Sequence, residues 1–200
     1  CFGLFKKLVL ADRLGMFVDP VFAGPELFST ASCWLASLAY TLQIYLDFSG
    51  YSDMAIGLAR CLGYRLDENF HFPYLARNPS DFWRRWHITL SFWFRDYLYI
   101  PLGGNRKGLA RTMANLLLTM LLCGLWHGAG WTFVAWGAWH GAGLAVHRFW
   151  RSLRGPRRDL PLVFTASWAG TLLFVHLGWV IFRAPDISRA LAMFGRMFQP

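Results

Sequence analysis

Charged residues are scarce in this chain, and acidic residues are the scarcer kind. Charged side chains make up 16% of the 200 residues, whereas a soluble domain carries about 25%. Lysine and arginine number 20 against 11 aspartate and glutamate, so the formal net charge is +9. The composition is not that of an ordinary soluble domain.

Several chemical signatures are also missing. The four cysteines, Cys1, Cys33, Cys61 and Cys123, lie far apart without a CxxC pair, which indicates neither a metal knuckle nor a disulfide framework. No HExxH pattern, and no pair of histidines with a carboxylate, shares one helix, so we expect no metal site. The chain has neither a GxSxG elbow nor a papain-like cysteine motif, so neither kind of nucleophile is predicted.

Apolar and aromatic residues are abundant instead. Hydrophobic residues make up 56% of the chain, with 11 Trp and 18 Phe, and the mean hydropathy is +0.32. Together with the basic excess, this fits a membrane protein whose arginines flank the spanning helices and whose aromatic rings lie at the interface. We therefore expect membrane lipid as a partner and no nucleic acid.

Four apolar stretches are candidate membrane spans, since a helix that crosses a bilayer needs about 20 residues. They cover residues 28–58, 112–126, 129–147 and 160–182. In the first stretch, which Asp47 and Asp53 interrupt, Gly50 predicts a broken helix that lines a cavity. Gly124 and the glycines after His127 divide the second stretch from the third, so His127 should lie at the bend.

Basic connections between these stretches predict an orientation. They lie before the second stretch, at Arg106, Lys107 and Arg111, and after the third, at Arg148, Arg151, Arg154, Arg157 and Arg158. The positive-inside rule places both connections in the cytoplasm. His127 then lies deep in the membrane or toward its outer side. The direction of the first stretch stays open, because basic residues flank both of its ends.

Residues 81–100 are predicted to form an amphipathic helix, taken at 100° per residue. Its apolar side carries Trp83, His87, Leu90 and Phe94, which fall within about 60° of one another, and a second face carries Arg84, Ser91 and Arg95. We expect this helix to lie at the interface, or to re-enter the membrane where protein covers it.

Two histidines are candidate catalytic residues. His127 lies in an apolar run beside Trp126 and small residues that leave room for a substrate, and ionisable groups inside a membrane usually mark function. An imidazole can take a proton from a hydroxyl and later give it to a leaving thiolate. Folding could bring His87 to the same cavity. For each histidine the alternative is a buried, hydrogen-bonded structural residue.

Other ionisable residues of the apolar stretches have structural interpretations. His140 and His147 share a helix face beside a Gly-x-x-x-Gly packing seam, and we assign both a structural role. Asp53 shares a face with Arg60, which predicts an internal ion pair, and Asp47 is expected to bond to backbone or hydroxyl groups.

Three arginines are candidate phosphate ligands. A guanidinium group binds phosphate through two parallel hydrogen bonds, so Arg84, Arg85 and Arg95 could hold the phosphates of a pantetheine-bearing donor. The alternative is that these residues are interfacial anchors.

Four motifs resemble those of one known family. They are QIYLDFSGYSD at Gln43 to Asp53, NFHFPY at Asn69 to Tyr74, FWRRWH at Phe82 to His87, and LWHG at Leu125 to Gly128. In this order they resemble the membrane-bound O-acyltransferase (MBOAT) family, in its bacterial alginate O-acetyltransferase branch. The resemblance covers nearly all of the chain.

The resemblance implies an all-α, polytopic transmembrane core, here residues 1–200 as one membrane-embedded domain, in which a funnel and a tunnel meet at an intramembrane histidine. It places that residue at His127 and the second site histidine at His87. Trp126, Asp47 and Asn69 become candidate substrate or donor contacts. Because the family is longer and the chain begins without Met, we expect the C-terminal part of a larger protein, inactive alone.

The same resemblance implies a function. An acetyl group would move from a cytoplasmic thioester donor, acetyl-CoA or another, to a hydroxyl of an exported polysaccharide such as alginate. The setting would be the bacterial inner membrane, with periplasmic acetyltransferase partner proteins and no bound cofactor. The alternative is a transporter subunit whose intramembrane Asp and His residues line a conduction path, while a scaffold role would explain neither histidine.

Overall fold

The computed structural model describes residues 1–153 and 161–199. Helices account for most of these residues, and within the described ranges the strand-like pairing is an isolated bridge between Phe70 and Trp86. The prediction of an all-helical chain is confirmed. Residues 154, 157 and 158 of the predicted basic connection lie outside the described ranges.

In chain order the helices are α1 (Phe2–Leu4), α2 (Asp12–Ala23), α3 (Thr30–Cys61), α4 (Pro79–Trp83), α5 (Ile88–Phe94), α6 (Leu109–His127), α7 (Trp131–Leu153), α8 (Pro161–Arg183) and α9 (Ile187–Phe198). Two π-helical segments, Phe5–Ala11 and Arg95–Tyr99, and two 3₁₀ turns, Pro25–Leu27 and Pro73–Leu75, lie between them. The chain forms two compact units. The first comprises Cys1–Asn69 with Trp179–Pro200, and the second comprises Phe70–Gly178.

In the first unit, α3 runs without interruption through 32 residues, so the predicted break at Gly50 is wrong. The helix begins after Ser29, whose hydroxyl accepts a hydrogen bond from the Ser32 N–H at 3.1 Å. Gly50 lies against the N-terminal helical segment, where an added Cβ would come within 2.8 Å of the Gly3 carbonyl oxygen. Glycine at this position permits close helix packing and does not kink the helix.

Two ion pairs join this N-terminal segment to α3. Lys6 Nζ lies 2.8 Å from an Asp53 carboxylate oxygen, and Lys7 Nζ lies 2.5 Å from Asp47 and 3.1 Å from Asp12. Asp53 therefore pairs with Lys6 in place of the predicted Arg60. Each of the two carboxylates on this largely apolar helix therefore has a lysine partner.

In the second unit, α6 and α7 form an antiparallel hairpin with very close backbones. An added Cβ on Gly137 would collide with the Met120 carbonyl oxygen, and one on Gly141 would come within 2.9 Å of the Leu117 Cα. Small residues that let two helices approach in this way are typical of packing inside membranes. The predicted Gly-x-x-x-Gly seam is confirmed.

The predicted continuous helix over residues 81–100 is wrong. The segment is divided into α4, α5 and the π-helical Arg95–Tyr99, and His87 between α4 and α5 has φ 44° and ψ 56°. Trp86 stacks on Phe82 and meets Phe70 edge-on, at ring-centroid distances of 5.7 and 5.0 Å. This aromatic packing holds the chain in a turn where the periodicity favoured a helix.

Two helices in the described ranges, Leu109–His127 and Val163–Arg183, are long and apolar enough to cross a membrane by length and composition. The first has 19 residues, about 28 Å at 1.5 Å per residue, which approaches the roughly 30 Å of a bilayer core. Within the second unit, α8 is held by indole hydrogen bonds. Trp139 Nε1 donates to the Phe174 carbonyl at 2.9 Å, and Trp168 Nε1 donates to the Tyr74 carbonyl at 2.8 Å.

Candidate functional site

His127 is the last residue of α6, immediately before the turn into α7. The next residue, Gly128, has φ 155° and ψ 162°, a region of backbone space that is essentially restricted to glycine. An added Cβ there would also lie 2.8 Å from the Phe133 ring. The local sequence therefore ends the helix at His127 and leaves its imidazole half-buried beside the turn.

Aromatic rings surround the His127 imidazole. Trp136 of α7 meets it edge-on with ring centroids 5.3 Å apart, and the ring of Trp126, the preceding residue of α6, lies 4.9 Å away. Phe133 completes the group at 6.3 Å. Trp136 is buried to 1% exposure, whereas Trp126 is 58% exposed. The imidazole thus contacts a buried indole, that of Trp136, and an accessible indole, that of Trp126.

His87 lies at the same site, although forty positions separate it from His127 in sequence. Its ring centroid is 6.3 Å from that of Trp126, so one indole packs against both histidines. The backbone before His87 is held by a hydrogen bond from the His71 N–H to the Arg85 carbonyl at 2.9 Å. Burial, and to a smaller extent the charge of His127, lowers the pKa of His87 to about 4.

This arrangement brings two imidazoles to one half-buried position. With its lowered pKa, His87 is neutral near pH 7, and a neutral imidazole offers one nitrogen that donates a hydrogen bond and one that accepts. Two such groups can remove a proton from a hydroxyl and return one to a leaving group. The predicted proximity of His87 and His127 is confirmed, and their catalytic roles stay predictions.

His140 lies behind the site on α7 and is fully buried. Its Nδ1 accepts a hydrogen bond from Trp83 Nε1 at 3.3 Å, and its ring stacks on Phe82. His147 Nδ1 lies 3.1 Å from the Ser80 hydroxyl. These contacts tie α4 to α7, which fits the structural role predicted for both histidines. Trp136 was not predicted as a site residue, although its position one helical turn before His140 is a signal in the sequence.

The three candidate phosphate ligands are not together. Arg84 and Arg85 line one cleft with Asp81, where Arg85 Nε donates to the carboxylate at 3.0 Å. Arg95 instead forms an ion pair with Asp96 at 2.7 Å and lies over the Phe92 ring, and it is absent from the described lining of that cleft. Their role in donor binding stays a prediction.

Two other candidate contacts belong to the first unit. Asp47 is engaged by Lys7, and Asn69 is the last residue before the second unit. Their roles in substrate or donor binding stay predictions. In the described ranges, no three His, Cys, Asp or Glu side chains are grouped as metal ligands would be.

Known proteins similar to this chain are much longer than it is. "Probable alginate O-acetylase AlgI" of Pseudomonas putida is 53% identical over 196 residues, which are 98% of this chain and 39% of that protein. "Peptidoglycan O-acetyltransferase" of Helicobacter pylori is 46% identical, over 94% of this chain and 36% of that protein. "Teichoic acid D-alanyltransferase" of Streptococcus thermophilus is 33% identical, over 74% and 38%.

The chain therefore spans well under half the length of the curated relatives it matches. A family model described as the membrane-bound O-acyltransferase family matches residues 4–187. That match covers both compact units apart from the two ends of the chain. It includes His87, Trp126 and His127. The chain belongs to the membrane-bound O-acyltransferase (MBOAT) family.

Proposed function

We propose that the protein containing this chain transfers an acetyl group from a thioester donor to a hydroxyl of an exported polysaccharide. The observation that carries the proposal is that the rings of His87 and His127 both contact the Trp126 indole, at centroid distances of 6.3 and 4.9 Å. The relatives support it, since their names describe acyl transfer to alginate, peptidoglycan or teichoic acid. Alginate is the proposed acceptor because the alginate O-acetylases reach 53% identity.

In the proposed reaction, His127 accepts the proton of the acceptor hydroxyl, or of a relay partner, as the oxygen attacks the thioester carbonyl. The carbon–sulfur bond breaks, the acetyl group remains on the oxygen as an ester, and the thiolate leaves. The thiolate takes back a proton from the imidazolium. His87 orients the reacting groups or supplies a proton. The donor is acetyl-CoA or another acyl thioester, and no bound cofactor takes part.

The proposed setting is the bacterial inner membrane, with the donor in the cytoplasm. Basic residues Arg106, Lys107 and Arg111 lie at the start of α6, and the positive-inside rule favours a cytoplasmic position for them. His127 ends the same helix, so in this orientation it faces the outer side, where an exported polymer is available. Periplasmic acetyltransferase proteins are the proposed partners.

The test is His127→Ala in the full-length protein. Acetylation of the polymer should be lost while membrane insertion and the amount of protein stay unchanged, and retained acetylation would refute the role. His71→Ala is the matched control, because His71 is an exposed histidine of the same unit and should leave acetylation intact. Mass analysis of the polymer from a deletion strain identifies the acceptor.

A transporter subunit predicts a different result in vesicles. Labelled acetyl donor supplied outside would then give flux of substrate without formation of an ester. Asp47 and Asp53, which that function would need on a conduction path, are engaged in ion pairs with Lys7 and Lys6. These ion pairs favour a structural role for the two carboxylates. The transporter function therefore has less support than acetyl transfer by the histidine pair.

A further inference from the structure

A basic cleft of about 980 Å³ lies in the second unit, apart from the histidine site. Its walls are the C-terminal half of α7, one face of α8, and the segment around α4. The described lining includes none of His87, Trp126 and His127. The cleft is therefore distinct from the histidine site.

Cations outnumber carboxylates in this cleft. Its lining carries four arginines, Arg77, Arg84, Arg85 and Arg151. Asp81 is the single carboxylate among the described lining residues, and it lies 3.0 Å from Arg85 and 3.7 Å from Arg84. Guanidinium groups gathered in this way bind phosphate, whose oxygens accept their paired hydrogen bonds.

The same cleft has an apolar wall. Val146 and Trp150 of α7 and Phe164 of α8 line it and are exposed, Val146 to 66% and Phe164 to 49%. The Arg77 guanidinium lies over the Phe164 ring, 5.1 Å from its centroid. Phe174, further along α8, closes the inner end. The cleft thus has a cluster of arginines next to an apolar wall. A ligand with an anionic head group and a hydrocarbon tail matches this arrangement.

The cleft also lies where such a ligand is concentrated. It opens beside the end of α7 and the start of α8, which flank the arginine-rich connection of the sequence. The positive-inside rule places this connection at the cytoplasmic face, where the leaflet carries anionic lipids and where basic pockets between helices bind their head groups. A water-soluble acyl donor would have to reach the two histidines. The described lining of this cleft does not include them, which argues against the donor as its ligand.

We propose that this cleft binds an anionic phospholipid of the cytoplasmic leaflet. The phosphate lies among Arg77, Arg84, Arg85 and Arg151, and one acyl chain follows the face of α8 from Phe164 toward Phe174. The inference stands on the cleft alone and does not depend on the proposed acetyl transfer, because lipid binding is measured without any reaction.

The test uses the full-length protein in lipid nanodiscs of phosphatidylcholine with a minor fraction of phosphatidylglycerol. Native mass spectrometry counts the phosphatidylglycerol that stays bound. The double variant Arg84→Gln/Arg151→Gln should weaken retention roughly 30-fold, since each arginine near an anionic surface contributes about 1 kcal/mol. Both side chains are exposed, so the variant is expected to fold. Arg84→Lys/Arg151→Lys keeps the charge and should retain most of the lipid.

Arg106→Gln is the matched control, because Arg106 is an exposed arginine outside the cleft lining and is predicted to lie on the same side of the membrane. An equal loss of lipid in Arg106→Gln would overturn the proposal in favour of general surface attraction. Unchanged lipid retention with weaker acetyl-CoA binding in the double glutamine variant would overturn it in favour of a donor-phosphate site. Unchanged binding of both ligands would show that the cleft holds neither.

Discussion

Trp136 meets the His127 imidazole edge-on, with ring centroids 5.3 Å apart and ring planes at 90°. The same indole lies 5.0 Å from His140, which is anchored to Trp83. His127 therefore packs against Trp136, which packs in turn against His140, and both of these α7 side chains are buried. The position of the candidate base depends on this packing as much as on its own helix.

Replacement of Trp136 by leucine should lower acetylation by the full-length protein roughly 100-fold, because a misplacement of about 1 Å in a catalytic group has an effect of that size. Trp136→Phe keeps a ring edge against the imidazole and should retain most of the activity. The loss should fall mainly on kcat, with KM for the donor little changed. Equal activity in the leucine and phenylalanine variants would contradict a positioning role for Trp136.

The left-handed backbone of His87, at φ 44°, predicts an unusual order of stabilities. His87→Val should be less stable than His87→Gly by about 1–2 kcal/mol, since a side chain with a Cβ is disfavoured in this region and glycine is not. His87→Asn should lie close to glycine. Thermal unfolding in detergent measures the order, and it does not depend on activity. A valine variant as stable as the glycine variant would show that the turn relaxes.

The α6–α7 seam predicts which glycines tolerate a side chain. Gly137→Ala should destabilise the protein severely, because the new methyl group collides with the Met120 carbonyl and α6 must shift. Gly57→Ala is the matched control, since nothing lies within 4 Å of its added Cβ in α3. That change should be neutral or stabilise the helix by up to about 1 kcal/mol. The yield of folded protein after size-exclusion chromatography separates the two outcomes.

The Lys6–Asp53 pair should show measurable coupling in a double-mutant cycle. We expect Lys6→Met and Asp53→Asn each to lower the unfolding temperature, and the double variant to lose less than the sum of the two. A coupling of roughly 1 kcal/mol is expected, because Asp53 is partly exposed and solvent screens the pair. Purely additive losses would mean that the two charges do not interact.

Local signals were enough to predict the position of His127. An apolar run that ends in Trp-His and is followed by a small-residue turn marks both a helix end and an unusual imidazole in an apolar stretch. The Gly-x-x-x-Gly seam of α7 was predictable for the same reason, since its partner α6 is the preceding helix. Both features depend on residues that are close together in the chain.

Features that depend on distant partners were not predictable. A glycine at position 50 looks the same in the sequence whether it kinks α3 or allows close packing against Gly3. Only the position of the packing partner distinguishes the two cases. The regular apolar spacing around Trp83 and Leu90 favoured one helix, yet the packing of Trp86 against Phe70 and Phe82 turns the chain at His87. The basic cleft draws Arg77 and Arg151 from segments more than seventy positions apart, so sequence proximity identified only Arg84 and Arg85 of its arginines.

The position of the candidate base His127 depends on the next residue, Gly128. Its backbone angles exclude other residues, and the Phe133 ring leaves no space for a methyl group. A single-base mutation that replaces this glycine would therefore displace the imidazole without altering the histidine codon. We therefore expect His127 and Gly128 to be conserved together or lost together in evolution. A gene in which only the glycine codon has changed should already encode an inactive protein.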